Sequence, residues 1–169
     1  MAKTATTSDL GILGTELEPE REEIIGLLTE AYWMELETVM NYTAASINPD
    51  GLRAQEVVEA IESDIEEELG HAREFARRIK ELYGVVPGSA AFECRQPFLQ
   101  PADDQTDLLH IVEGVIEAER GAIAHYSRLV ELTAESDPAT NDMVVTILRD
   151  EQAHLRLFEG FRRELAASA

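Results

Sequence analysis

At 169 residues with a formal charge of −20, the chain is long enough for one domain with a sizeable core, and its acidic faces would repel phosphate backbones, which argues against a nucleic-acid partner. Glycine and proline are sparse, Arg outnumbers Lys by 12 to 2, and the long stretches between breakers are rich in helix formers. Cys94 is the only cysteine, which excludes an intrachain disulfide or a Cys-based metal site and fits a reducing cytoplasm, and no run approaches ~20 apolar residues, so neither a membrane span nor a signal peptide is expected.

Residues 1–18 read as an N-terminal extension and 19–169 as an all-α four-helix bundle. The first helix is predicted from Pro19-Glu20, where proline suits an early position and Glu20, Glu22 and Glu23 suit the positive end of the helix dipole, to Asn48-Pro49-Asp50-Gly51. Its stripe is Leu28, Ala31, Glu35, Val39, Tyr42. Trp33 is assigned to helix packing. The second helix is predicted from about Leu52 to Tyr83, with Ile61, Ile65, Glu68, Ala72, Phe75, Ile79 and Leu82 inward and a stop at Gly84.

The next ~20 residues, with Pro87, Pro97 and Pro101, can span the whole side of a ~42 Å bundle. Helices two and three can then run parallel, joined by one long crossover, while the short first and last loops make antiparallel neighbours. The third helix is predicted from about Thr106 to Glu135, with the stripe Leu109, Val112, Ile116, Glu119, Ile123, Tyr126, Val130, Thr133. Asp137-Pro138 breaks it. The fourth continues to about Ala167, with Val144, Leu148, Glu151, Leu155 and Phe158 inward.

Glu68 and Glu151 each replace an apolar residue in a core stripe. One turn further on the same face stand His71 and His154, so two helices each offer a carboxylate and an imidazole to one place. Glu35 and Glu119 add inward carboxylates from the other two. Ionised carboxylates in a core need protons, paired cations or bound metal, and no core-stripe Lys or Arg is near. Two divalent cations with four carboxylates and two neutral imidazoles sum to zero charge. The mixed oxygen and nitrogen set suits Fe(II) or Mn(II) better than calcium or a closed zinc site.

Glu67 and Asp150, each preceding a candidate ligand, are placed to accept the outer ring N–H of His154 and of His71 respectively. Tyr42, two turns from Glu35 on the same face, is a candidate hydrogen-bond or electron donor beside a plain core role. His110 and His125 lie beside the stripe and are read as surface or boundary residues. Cys94 has no inferred role.

Three stretches, Glu35-Leu36 through Tyr42, Glu68-Leu69-Gly70-His71-Ala72-Arg73 continuing to Gly84 and Pro87, and Ile147-Leu148-Arg149-Asp150-Glu151-Gln152-Ala153-His154, resemble the bacterioferritins and the wider ferritin-like family, including the Dps-like ferritins. Glu119 takes the third-helix ligand position, ahead of Glu113 and Glu117. The resemblance implies a ferritin-like four-helix bundle whose di-iron site, Glu35, Glu68, His71, Glu119, Glu151 and His154, oxidises Fe(II) to Fe(III) with O2 or H2O2 for iron storage or detoxification. Leu69 stands where haem-binding bacterioferritins have methionine, so haem is not implied. The 15 residues after His154 are too few for the extra helix of twenty-four-subunit cages, which leaves a homo-oligomer between a dimer and a twelve-subunit shell. A rubrerythrin-like peroxidase or substrate-oxidising di-iron enzyme is an alternative, weakened by Ala122 where a Glu-x-x-Glu is needed and by the missing CxxC pair. A non-enzymatic, DNA-shielding miniferritin is another, weakened by the charge.

Overall fold

The computed structural model describes residues 7–167; the first six residues of the expected extension, and Ser168 and Ala169, lie outside them. Two short 3-10 turns, Thr7–Leu13 and Thr15–Leu17, precede four helices: α1 (Glu18–Ile47), α2 (Ala54–Glu81), α3 (Leu108–Thr133) and α4 (Pro138–Ala167). No strand occurs among the described residues. The turns lie against α1, where the Arg21 guanidinium donates to the carbonyls of Ile12 and Gly14, 3.0 Å each, and Ile12 is buried in the core.

The helices pair as two hairpins, α1 with α2 and α3 with α4. The crossover between them runs beside α1 in the direction of α1 itself. Gly84 lies against Ile25, Phe92 packs its ring 5.4 Å from that of Trp33, Gln100 reaches Asn41, and the Gln105 carbonyl accepts from the Asp50 amide. The chain therefore re-enters the bundle at the end where α2 began, and α3 runs parallel to α2. Glu37 anchors the middle of this path: its buried carboxylate accepts the backbone amides of Arg95 and Gln96 at 2.8–3.0 Å. At Gly114 the crossover presses onto α3 so closely that a Cβ would lie 2.9 Å from a Leu99 methyl and 3.0 Å from the Phe98 carbonyl oxygen.

Helix ends differ from expectation in instructive ways. α2 begins at Ala54, leaving Leu52 fully exposed, and α3 begins at Leu108 because the Asp107 side chain caps the His110 amide. Gly84 is not the left-handed residue that ends α2. Tyr83 takes that conformation, at φ 70°, and the Gly84 amide returns to the Ile79 carbonyl. Glycine is needed there for space, since a Cβ would meet an Ile79 methyl at 2.8 Å. Asp137 does more than interrupt a helix. It caps α4 by accepting from the Thr140 amide and hydroxyl, and it takes a 2.8 Å ion pair from Arg78 of α2.

The core has two apolar halves. Leu28, Phe75, Ile79, Leu129 and Ile147 belong to one, and Ile61, Val112, Val115, Ile116 and Phe158 to the other. In α3 the expected stripe is offset: Leu109, Ile123 and Val130 are only half-buried, whereas Leu108, Ile111, Val115 and Leu129 are buried. The crossover, through Leu99, covers a second face of this helix. Ile147 likewise replaces Leu148 as the buried residue of α4, and Ile65 and Val39 sit at the margin.

Candidate metal centre

Between the two apolar halves lies a layer of acids. Glu35, Glu68, Glu119 and Glu151, one from each helix, are 1–2% exposed, and His71 and His154 are buried beside them. All six of the sequence-derived ligand candidates are thus brought together. Glu113 and Glu117, the lower-ranked substitutes for Glu119, face solvent.

The ligand atoms fall into two groups, each within 4.8 Å: Glu35, Glu68, His71 and Glu151, and Glu68, Glu119, Glu151 and His154. Glu68 and Glu151 belong to both. His71 turns its Nδ1 inward, 3.2 Å from Glu151 Oε1 and 3.3 Å from Glu68 Oε2; His154 Nδ1 lies 3.5 Å from Glu68 Oε1 and 3.8 Å from Glu151 Oε2. Their outer nitrogens meet other carboxylates. His154 Nε2 is 3.2 Å from Glu67 Oε2, and His71 Nε2 is 3.8 Å from Asp150 Oδ2.

Two tyrosines complete the layer. The Tyr42 hydroxyl donates to Glu119, and Tyr126, buried on α3, donates to Glu35. Tyr126 entered the sequence reading only as a stripe residue. The signal was present, because tyrosine follows the inward glutamate by seven residues in both α1 and α3. His125 is a boundary residue whose Nε2 contacts the Leu27 carbonyl, and His110 is exposed. Trp33 packs between Tyr32 and Phe92. Cys94 is free and exposed.

Without cations the layer must hold protons. Burial, then the charges of Glu68 and Glu151, keep Glu35 well above the usual carboxyl range, and burial with Glu151 does the same to Glu119. Burial would also raise Glu68, but the facing imidazoles of His154 and His71 outweigh it and bring it down to about 2. For the histidines burial pulls down, yet the facing carboxylates of Glu151 and Glu68 push His71 up to about 10 and His154 up to about 12. Burial and the neighbouring carboxylates keep both tyrosine hydroxyls protonated and donating.

Protons leave the layer unsatisfied. Glu119 Oε2, Glu151 Oε1 and His154 Nδ1 are buried with no hydrogen-bond partner, and no Lys or Arg pairs with any of the six among the described residues. Two carboxylate oxygens and an imidazole nitrogen left unpartnered around one point are ligand atoms that a pair of divalent cations would satisfy on displacing the protons. A cavity about the size of one water lies beside them, lined by Met34, Thr38, Gln96, Ala118 and Ala122 as well as the four glutamates.

The ferritin-like domain family model matches residues 25–167. The chain is 29% identical over 143 residues to the DNA protection during starvation protein of Pyrococcus furiosus, covering 82% of this chain and 76% of that one. It is 29% identical over 153 residues to the bacterioferritin of Desulfovibrio desulfuricans, covering 84% and 75%. The X-ray structure of D. desulfuricans bacterioferritin, described for its diiron site in different catalytic states, superposes with a TM-score of 0.76 at 25% identity over 89% of this chain and 84% of that one. The dodecameric thioferritin of Bacteroides fragilis superposes with a TM-score of 0.80 at 24% identity over 88% and 89%.

Proposed function

The chain belongs to the ferritin-like domain family, and from that premise we propose that it is a ferroxidase: it binds two Fe(II) ions in the acid layer and passes their electrons to O2 or H2O2, for iron storage or detoxification. The observation that carries the reading is the pair of overlapping four-residue groups sharing Glu68 and Glu151. Two Fe(II) give two electrons, enough with two protons to reduce H2O2 to two waters or O2 to H2O2. Mn(II) suits the same donor set.

In this reading Glu68 and Glu151 would be shared by the two positions, and Glu35 with His71 and Glu119 with His154 would complete one position each. Glu67 accepts the outer N–H of His154, and Asp150 faces that of His71 at 3.8 Å, an arrangement that favours the tautomer leaving Nδ1 free to ligate. Tyr42 and Tyr126 hold Glu119 and Glu35 in place; Tyr42 also stands where it can donate an electron. The cavity beside the carboxylates suits O2 or H2O2 and is too small for an organic substrate, which favours this reading over a substrate-oxidising enzyme.

A homo-oligomer, from a dimer to a twelve-subunit shell, is supported by the relatives and by apolar side chains that a lone chain leaves in water, Ile47, Leu52, Tyr83 and Val85 among them. Nucleic acid is not expected to bind, given the charge of −20. No helix of the described residues is long and apolar enough to cross a membrane, and a cytoplasmic location fits the single cysteine.

The test is kinetic. Protein loaded anaerobically with Fe(II) is mixed with O2 or H2O2, and Fe(III) absorbance should rise far faster than in protein-free buffer, with the acceleration lost in Glu151→Ala. Oxidation no faster than in buffer would refute the ferroxidase reading.

A further inference from the structure

The two halves of the centre align position by position, Asp64-Ile65-Glu66-Glu67-Glu68-Leu69-Gly70-His71 of α2 against Ile147-Leu148-Arg149-Asp150-Glu151-Gln152-Ala153-His154 of α4. Of the three positions buried in both helices, only the first differs in kind. Ile147 is an ordinary core residue, whereas Asp64 is an acid only 6% exposed. Its Oδ1 stands 3.7 Å from His154 Nε2, and its Oδ2 is buried with no hydrogen-bond partner.

The outer nitrogens of the two histidines are therefore not equivalent. His154 Nε2 faces Glu67 at 3.2 Å and Asp64 at 3.7 Å. His71 Nε2 has Asp150 at 3.8 Å, on a side chain 30% exposed, and Glu67 within reach. Glu67 hydrogen-bonds His154 and lies farther from His71, but it is half-exposed and water screens it. Asp64 adds a buried carboxylate on the His154 side alone. A carboxylate behind a ligating imidazole fixes the ring and raises its basicity, and the effect is stronger where water screens less. A buried carboxylate oxygen with no hydrogen-bond partner is costly, and a cation held by Nδ1 on the far side of the ring adds positive charge that favours it.

We propose that Asp64 is a positioning residue that makes the two cation positions unequal, so that the position closed by Glu119 and His154 fills first and holds its cation more tightly than the position closed by Glu35 and His71. The inference rests on the two-cation reading of the centre.

Calorimetric titration of the full chain with Zn(II), a redox-silent probe, tests it without any turnover. Two cations per chain should bind in two phases at least ~10-fold apart in affinity. Asp64→Asn, which keeps the shape and removes the charge, should weaken the tight phase by ~10–100-fold and leave the weak one in place, and Asp64→Glu should restore part of the difference. A merely structural role would weaken both phases together. Two further variants leave Asp64 untouched: His154→Ala should remove the tight phase and His71→Ala the weak one. Two equal sites in the unaltered chain, equal losses in Asp64→Asn, or a tight phase that survives His154→Ala would each overturn the inference while sparing the two-cation centre. Binding of fewer than about one Zn(II) per chain would instead strike the centre itself.

Discussion

On one side of the acid layer the helices meet through Leu28, Phe75 and Ile79, on the other through Ile61, Val112 and Phe158, and in both places the contact is apolar and buried. Within the layer the same four helices bring together four carboxylates, two imidazoles and two phenols, with three ligand-group atoms unpartnered. The apolar halves stabilise the fold whether or not a cation is present. The layer is stable only in proportion to what it holds, protons or metal, and the flanking halves keep it assembled in the meantime.

The sharpest break in that contrast comes from removing a shared carboxylate. Glu68→Ala should reduce binding from two divalent cations per chain to fewer than one, measured by anaerobic titration, while leaving the helical circular dichroism intact. Two cations still bound would mean that Glu68 bridges nothing. The converse change is Phe75→Ala, which should lower unfolding free energy by ~3–5 kcal/mol in urea melts of the metal-free chain, because the cavity it leaves is enclosed on all sides. A loss below ~1 kcal/mol would show that the apolar halves are not what holds the apo bundle together.

Smaller, but specific to the layer, is the response to pH. Glu35 and Glu119 are raised, and His71 and His154 are pushed up to about 10 and about 12, so above the ordinary carboxyl range the folded apo chain holds more protons than the unfolded one. Its stability should therefore fall as pH rises from about 5 towards 9. Glu68, down at about 2, acts in the opposite sense, but only below the usual carboxyl value, where acid removes its contribution. Thermal melts of chelator-treated protein should show the decline, with a shallower slope in Glu35→Gln. Saturating Zn(II) should reverse it, since the cation needs deprotonated ligands. A flat apo profile would mean that the layer stores no protons. The smallest effect expected is that of Tyr126→Phe, which removes one hydrogen bond of ~0.5–1.5 kcal/mol and should weaken cation binding at the Glu35 and His71 position by roughly tenfold at most.

Helix count was legible in the sequence through local periodicity and the crossover through the length of the segment between helices two and three; the six residues of the layer stood out because a glutamate at a core phase is conspicuous without any tertiary information. The same periodicity hid Asp64. It lies one turn before Glu68 on the inner face, but the neighbouring Ile65 was the easier choice for an apolar stripe, and the structure leaves Ile65 half-buried and Asp64 inside. Tyr126 was in plain view at the same spacing from Glu119 as Tyr42 from Glu35, a repeat that only the pairing of α1 with α3 turns into two hydrogen bonds. Glu37 could not have been found. Nothing near it in the chain announces that amides from the crossover, almost sixty residues away, will bury it. The role of Gly84 was hidden for a similar reason, since close packing against Ile79 and Ile25 requires the glycine rather than backbone conformation.

Anomalous diffraction at the iron edge, from crystals soaked anaerobically in Fe(II), puts the whole account at risk in one measurement. It should give two peaks per chain, one among Glu35, Glu68, Glu151 and His71 and one among Glu68, Glu119, Glu151 and His154, with Glu68 and Glu151 touching both. An empty layer, or iron found only at surface carboxylates, would contradict it.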